Sequence, residues 1–189
     1  MPRAGLSREA VVDIAVELVD ADGYAALTLA AVAGRAGVAV PSLYKHIGSL
    51  AALRSAVALV AVRELTRRSA AATVGRAGED ALRALGREIR AFAREHPGLY
   101  AASQVAPSAD DLALAQSAAD TVAVVAAVLR GFEIPDARSV DAIRAARSAI
   151  HGFVALEVGG GFGMPDDVEQ SFEALLDMLV AGVRALARA

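Results

Sequence analysis

The chain is expected to be all-α, and three observations lead there. Of its 189 residues 56% are hydrophobic while only 4% are aromatic, with alanine the recurring apolar residue. Apolar positions return at three- and four-residue intervals rather than alternating with polar ones, and alanine has the highest helix propensity of any residue. Glycine, proline and Ser/Asp pairs punctuate the pattern at intervals that suit helix starts and stops. A chain of this length can bury a proper core and accommodate one larger domain plus a small module.

The first helix is expected to start after Ser7, a good N-cap, with Glu9 in the first turn where the helix dipole favours an anion. Val11, Ile14, Ala15, Leu18 and Val19 then form one apolar stripe, and Asp22-Gly23 ends it. A second helix can begin on Thr28, with Leu29, Val32, Ala33 and Ala36 on its inner side, and stop at Gly37. Glycine supplies the left-handed backbone that a tight turn between helices requires. Pro41 suits the first turn of a third helix, where no amide partner is lost, so that helix leads with Val40, Pro41, Ser42 and Lys45. Two short helices pinched around a glycine form a helix-turn-helix, and this arrangement points to DNA.

Gly48-Ser49 introduces a fourth helix, which carries Leu50, Leu53, Val57 and Val60 on its inner face and runs to about Ser69. Further helices are expected over Asp80 to Glu95, Leu99 to Val105, a stretch opened by Ser108 to Asp111 and ending at Arg130, about Ser139 to Val158, and roughly Pro165 to Ala187. The sequence therefore divides into a helix-turn-helix module (1–48), a connecting helix (49–70) and a C-terminal helical bundle (71–189). His96, just before Pro97, is expected at a helix C-terminus, where the dipole would favour its cation.

Charge is unevenly placed. The formal net charge is −3, yet between residues 28 and 68 Arg35, Lys45, Arg54, Arg63, Arg67 and Arg68 face Glu64 alone. A basic module on an acidic body can attract phosphates while the remainder keeps the protein soluble. With no cysteine there is no disulfide framework and no thiolate metal site. His46, His96 and His151 are too dispersed for a local metal motif, so no metal and no cofactor are expected. The N-terminal stretch from Met1 to Ser7 is unlike a signal peptide, and the longest uninterrupted apolar runs are short of a bilayer span, so no membrane partner is expected.

Enzyme chemistry finds no footing. The Gly159-Gly160-Gly161-Phe162-Gly163 run is not followed by Gly-Lys-Ser/Thr, and no Gly-x-Ser-x-Gly occurs. No convergent set of acid, base and nucleophile stands out, so the protein is not expected to be an enzyme.

The helix-turn-helix, read as Leu27-Thr28-Leu29 through Gly37-Val38 to Leu43-Tyr44-Lys45-His46-Ile47, resembles the TetR family of bacterial transcriptional repressors over about residues 7 to 60. The region from Phe92 to Tyr100, together with His151-Gly152, resembles the Trp-His-Gly type of C-terminal domain, without the tryptophan. The resemblance implies a TetR-like fold and a homodimer on a palindromic double-stranded DNA operator. It also implies a small-molecule effector that releases the DNA, in a bacterial cytoplasm and at the nucleoid when bound. The residues it marks for DNA are Thr28, Val40, Pro41, Ser42, Tyr44, Lys45 and His46. Ser42, Val40 and Pro41 can face base edges, Lys45 can reach a guanine edge or a phosphate, and Thr28, Tyr44 and His46 suit phosphates.

Where related proteins often carry a capping serine, a phenylalanine and lysines, this chain has Ala39, Ile47 and Gly48-Ser49-Leu50. Those differences keep open a second reading, a helical interaction protein with a vestigial helix-turn-helix. For the effector, the expected lining is Phe92, Tyr100, Gln104, His151, Phe153 and Met178, although the aromatic residues at helical spacing also suit a core. Dimer contact is expected through the last two long helices, by way of Ala142, Ala145, Ala146, Ala149, Leu175, Leu179, Gly182 and Val183.

Overall fold

A computed structural model describes residues 6–188, so Met1 to Gly5 and Ala189 lie outside the described residues. Among the described residues there are nine α-helices, one 3-10 turn and no strand, as expected for an all-α chain. The helices are α1 (Arg8–Asp22), α2 (Leu29–Ala36), α3 (Val40–Leu43), α4 (Leu50–Thr73), α5 (Gly78–Glu95), α6 (Pro97–Ser103), α7 (Leu112–Arg130), α8 (Asp136–Val158) and α9 (Val168–Arg188).

The chain forms two compact units that do not follow the sequential division. One comprises Met1–Glu64 with His96–Ala118, the other Leu65–Glu95 with Ala119–Ala189. The first unit takes in α6 because Pro97-Gly98 lets it approach α1 backbone to backbone. A Cβ built on Gly98 would lie 1.9 Å from the Val19 carbonyl oxygen, a distance only glycine permits. His96 caps this approach. It is not the C-terminal residue of α5 but the N-cap position of α6, and its Nδ1 lies 2.9 Å from both carboxylate oxygens of Asp20 on α1.

Local signals in the first unit agree with the cap chemistry. Ser7 Oγ accepts from the Ala10 amide at 3.1 Å, and α1 ends at Gly23, whose φ of 84° and amide bond to the Val19 carbonyl close the helix. A three-residue 3-10 turn, Tyr24–Ala26, then leads to Leu27, which is fully buried. Val11, Ala15, Leu18, Val19, Val32, Leu43, Ile47, Leu53 and Val57 complete the core. Asp111 caps α7 by accepting from the Leu114 amide at 3.0 Å, and its second oxygen accepts from the Ser55 hydroxyl of α4.

In the second unit α5, α8 and α9 pack on Leu82, Leu85, Phe92, Ile150, Val154, Phe172, Leu176 and Val180. Arg90 is the exception to an apolar interior. Its guanidinium, 5% exposed as a residue, makes two 2.7 Å bonds to Glu157 of α8 and one to Glu169 of α9, and lies 4.7 Å above the Phe172 ring. Outer ion pairs tie α5 to α9 through Arg83–Asp177 and Arg87–Glu173. Of the residues expected at a dimer face, Ala142, Ala146, Leu179 and Val183 are buried within the unit, whereas Ala145 and Gly182 are exposed.

By length and composition alone α7 is long and apolar enough to cross a membrane. Gln116, Ser117, Asp120 and Thr121 interrupt it at mid-helix, and an aspartate at the centre of a spanning helix costs about 3 kcal/mol on insertion scales. Its Leu114, Ser117, Val128 and Leu129 are buried in the fold.

Candidate nucleic-acid interface

The interface is built by four short devices. Thr28 caps α2, its Oγ1 accepting from the Ala31 amide at 3.1 Å, which leaves the hydroxyl proton free to donate outward. At the other end Gly37 has φ 67° and ψ 32°, the left-handed conformation, and the Val38 amide bonds back to the Ala33 carbonyl at 3.0 Å. This closure turns the chain sharply toward α3. Ala39 stands at the N-cap of α3 without a side-chain cap; Pro41 brings no amide, and the Ser42 amide donates to the Ala39 carbonyl at 2.8 Å.

Helix α3 is one turn long, shorter than the sequence pattern suggests. Tyr44, Lys45 and His46 continue it as a turn in which the His46 and Ile47 amides both bond to the Leu43 carbonyl, each at 2.9 Å. Leu43 and Ile47 are buried to within 2% and act as anchors on the inner side. Pinned at both ends, the turn presents Tyr44 outward with 54% of its surface exposed, so the ring is not part of the module core. Lys45 is exposed and His46 and Ser42 half-buried. Among the described residues none of these four side chains is engaged by a hydrogen bond or ion pair within the protein.

Val40 is half-buried and Pro41 exposed at the leading edge. All seven residues expected to touch DNA therefore fall in the first unit, on α2, α3 and the turn that follows. The basic patch is smaller than the sequence suggests. Arg35 is paired with Asp22 at 2.8 Å, and Arg68 lies in the second unit, bound to Glu88 and Glu95. Among the described residues Lys45, Arg54 and Arg63 remain as exposed cations of the first unit without a carboxylate partner. Sequence spacing could not reveal either pairing, because Asp22 precedes Arg35 by 13 residues and Glu88 follows Arg68 by 20.

The residues expected to line an effector pocket are divided between the units. Tyr100 and Gln104 belong to the first; Tyr100 is 5% exposed, and Gln104 donates to Ser103 Oγ at 2.9 Å. Phe92, His151, Phe153 and Met178 belong to the second. Phe92 is fully buried beneath the Arg68 guanidinium, 5.4 Å away. His151 and Phe153 are half-buried on α8, the Phe153 ring packing on Phe162 and Phe172, and Met178 is 66% exposed on α9.

A glycine-closed turn, a one-turn recognition helix and an outward set of hydroxyl, phenol, ammonium and imidazole groups define a helix-turn-helix DNA-binding protein. The comparisons agree from both ends of the chain. Residues 11–57 match the pattern of the bacterial regulatory proteins of the tetR family, and residues 82–179 match the tetracyclin repressor-like C-terminal domain. The chain belongs to the TetR family of transcriptional regulators and carries its DNA-binding N-terminal domain. The Trp-His-Gly type of C-terminal domain is consistent with the second match.

The uncharacterized HTH-type transcriptional regulator Rv0681 of Mycobacterium tuberculosis is 33% identical over 183 residues, 95% of this chain and 83% of that protein. The HTH-type transcriptional repressor DrrR1 of Streptomyces coeruleorubidus is 31% identical over 75% of this chain and 50% of its own. A TetR variant from Acinetobacter baumannii AYE, solved in complex with minocycline, superposes with a TM-score of 0.70 at 24% identity, over 96% of this chain and 98% of that one. Proteins of this family are transcriptional regulators, generally not enzymes.

Proposed function

We propose that the protein is a homodimeric repressor that occupies a two-fold symmetric DNA operator and leaves it when a small molecule binds the C-terminal part. The observation that carries this reading is the turn Tyr44 to His46, whose polar side chains have no partner among the described residues while Leu43 and Ile47 hold its backbone in place. Ser42 and Lys45 read base edges in the major groove, Val40 and Pro41 touch thymine methyls, and Thr28, Tyr44 and His46 bond phosphates on either side. One such turn covers only a few base pairs, so two copies are required for affinity and register.

The unpartnered faces of α8 and α9 support the pairing. Ala174, Met178, Ala181 and Ala185 are exposed at four-, three- and four-residue steps along α9, and Ala155, Leu156 and Val158 are exposed on α8. Such a seam of small and apolar residues permits close helix approach across a two-fold axis. For the effector, Phe153 and His151, half-buried on α8, offer an apolar face and one polar group. In this division of labour the helix-turn-helix spans 1–48, the connecting helix 49–70 and the ligand-binding and dimerising part 71–189.

The test is selection of duplexes from a random pool. A two-fold symmetric consensus bound by a dimer supports the proposal, and retention of no duplex at low salt overturns it in favour of a vestigial helix-turn-helix. A compound that releases the selected duplex must bind the free protein more tightly than the complex by the same factor.

A further inference from the structure

We propose that the leading edge of α3 recognises the C5-methyl group of a pyrimidine as such, gaining the same factor on thymine over uracil as on 5-methylcytosine over cytosine. Cytosine methylation at such a position then raises the affinity of the protein for DNA. The inference rests on the DNA-binding reading above and concerns what that same turn selects.

The hydrogen-bonding readers are few. From Ala36 to Ser49 the chain carries no Asn, Gln, Arg, Asp or Glu, the side chains that most sharply tell adenine, guanine and cytosine apart in the major groove. Arg35, just before this stretch, is held by Asp22 at 2.8 Å. Ser42 is half-buried, and a serine hydroxyl bonds to donor and acceptor edges alike. Lys45 is a single exposed cation that reaches a guanine edge or a phosphate. Pro41 has no amide and that of Ser42 donates to the Ala39 carbonyl, so these two positions meet DNA through their side chains.

The edge itself is apolar. Ala39 and Pro41 are exposed and Val40 is half-buried, three consecutive side chains with neither donor nor acceptor. Leu43 and Ile47, both buried, fix the turn behind them, so this edge arrives in one position. Against the amino group of adenine it would desolvate a donor without replacing its bond, which is unfavourable. Against a C5-methyl group it removes apolar surface from water on both sides. That methyl projects from the same pyrimidine carbon in thymine and in 5-methylcytosine, so Val40 and Pro41 respond to its presence on either base. Burying one methyl is worth about four-fold in affinity, and two half-sites give about fifteen-fold.

The test uses the full-length protein and a duplex selected from an unmethylated random pool. Each thymine of the half-site is replaced by deoxyuridine in both symmetric copies, and affinities are measured at one fixed salt concentration. At the most sensitive position four pairs are then compared: T·A, U·A, 5-methylcytosine·G and C·G. T·A is expected to bind about fifteen-fold more tightly than U·A, and 5-methylcytosine·G to exceed C·G by the same factor within about two-fold. Val40→Ala or Pro41→Ala, each checked for parent-like melting, brings the T·A to U·A ratio below about four-fold. Lys45→Ala weakens both duplexes alike and leaves that ratio unchanged.

Four results overturn the proposal: selected half-sites without thymine; uracil tolerated within about two-fold at every thymine; a methyl effect on T·A that is absent on 5-methylcytosine·G; or a ratio unchanged in both Val40→Ala and Pro41→Ala. Retention of no duplex at all refutes the DNA-binding reading and this inference with it. A bound duplex indifferent to uracil refutes this inference alone.

Discussion

Replacing Gly98 by alanine tests the close approach of α6 to α1. The added methyl carbon would sit 1.9 Å from the Val19 carbonyl oxygen and 2.8 Å from its carbon, about 1 Å inside the 3.0 Å floor of real contacts. Both neighbours are backbone, so no side-chain rotation relieves the overlap, and α6 must move away from α1. That movement strains the His96–Asp20 contact and loosens Leu99, Tyr100 and Ala102, all buried. Overpacking of this kind costs about 3 kcal/mol, at the upper end of the usual range because the obstacle is main chain. For a chain of this size the melting temperature should fall by roughly 6–12 °C. Gly34→Ala is the matched control: it lies within α2 in the same unit, nothing stands within 4 Å of its added carbon, and helix propensity should raise stability by about 0.5–1 kcal/mol. Urea unfolding of both variants against the parent decides the matter. A Gly98→Ala protein within about 0.5 kcal/mol of the parent would refute the packing argument.

Three further outcomes follow from particular contacts. Glu157→Gln should cost about 2 kcal/mol in urea unfolding and Glu169→Gln under about 1 kcal/mol, because both serve Arg90 but the Glu157 side chain is 15% exposed and that of Glu169 is 59%. The Ser55 hydroxyl and the Leu114 amide hold the Asp111 carboxyl below its ordinary range. A group with a depressed folded value contributes stability that is present above about pH 4 and is lost as pH falls through the folded value. Asp111→Asn should therefore flatten the acid limb of a stability-against-pH curve; an unchanged limb counts against the cap. Thr28→Ala should destabilise the protein by about 1 kcal/mol through loss of the α2 cap and should weaken DNA binding beyond that, as seen by parallel melting and DNA-retention assays.

Local chemistry was legible in the sequence, and long-range pairing was not. Ser7 and Thr28 cap the helices their spacing implies, Gly37 takes the left-handed turn, and α1, α2 and α4 begin within a residue or two of their expected starts, since caps and breakers act over one helical turn. The seven DNA-contact candidates fall together for the same reason: one motif of 19 residues holds them all. The 3-10 turn at Tyr24–Ala26 escaped notice because its residues carry no turn chemistry beyond Gly23. His96 was read from its neighbours as a helix end, whereas Asp20, 76 residues away, decides its setting. Likewise Arg90 lies 67 residues from Glu157 and 79 from Glu169. The residues expected at a dimer face divide between buried and exposed positions, because alanine fits equally well inside a bundle or between two of them; only packing tells Ala142 from Ala145.

The central claim is that the turn from Ser42 to His46 grips a duplex. Its most direct test is the slope of log affinity against log salt on a selected duplex, for the parent and for Lys45→Ala and Tyr44→Ala. Lys45→Ala should weaken binding; if Lys45 meets a phosphate, the slope should also flatten by about 0.9 per protomer. Tyr44→Ala should weaken binding at every salt concentration with the fold intact. Parent-like affinity and slope in both variants would place the DNA contact elsewhere and contradict the account.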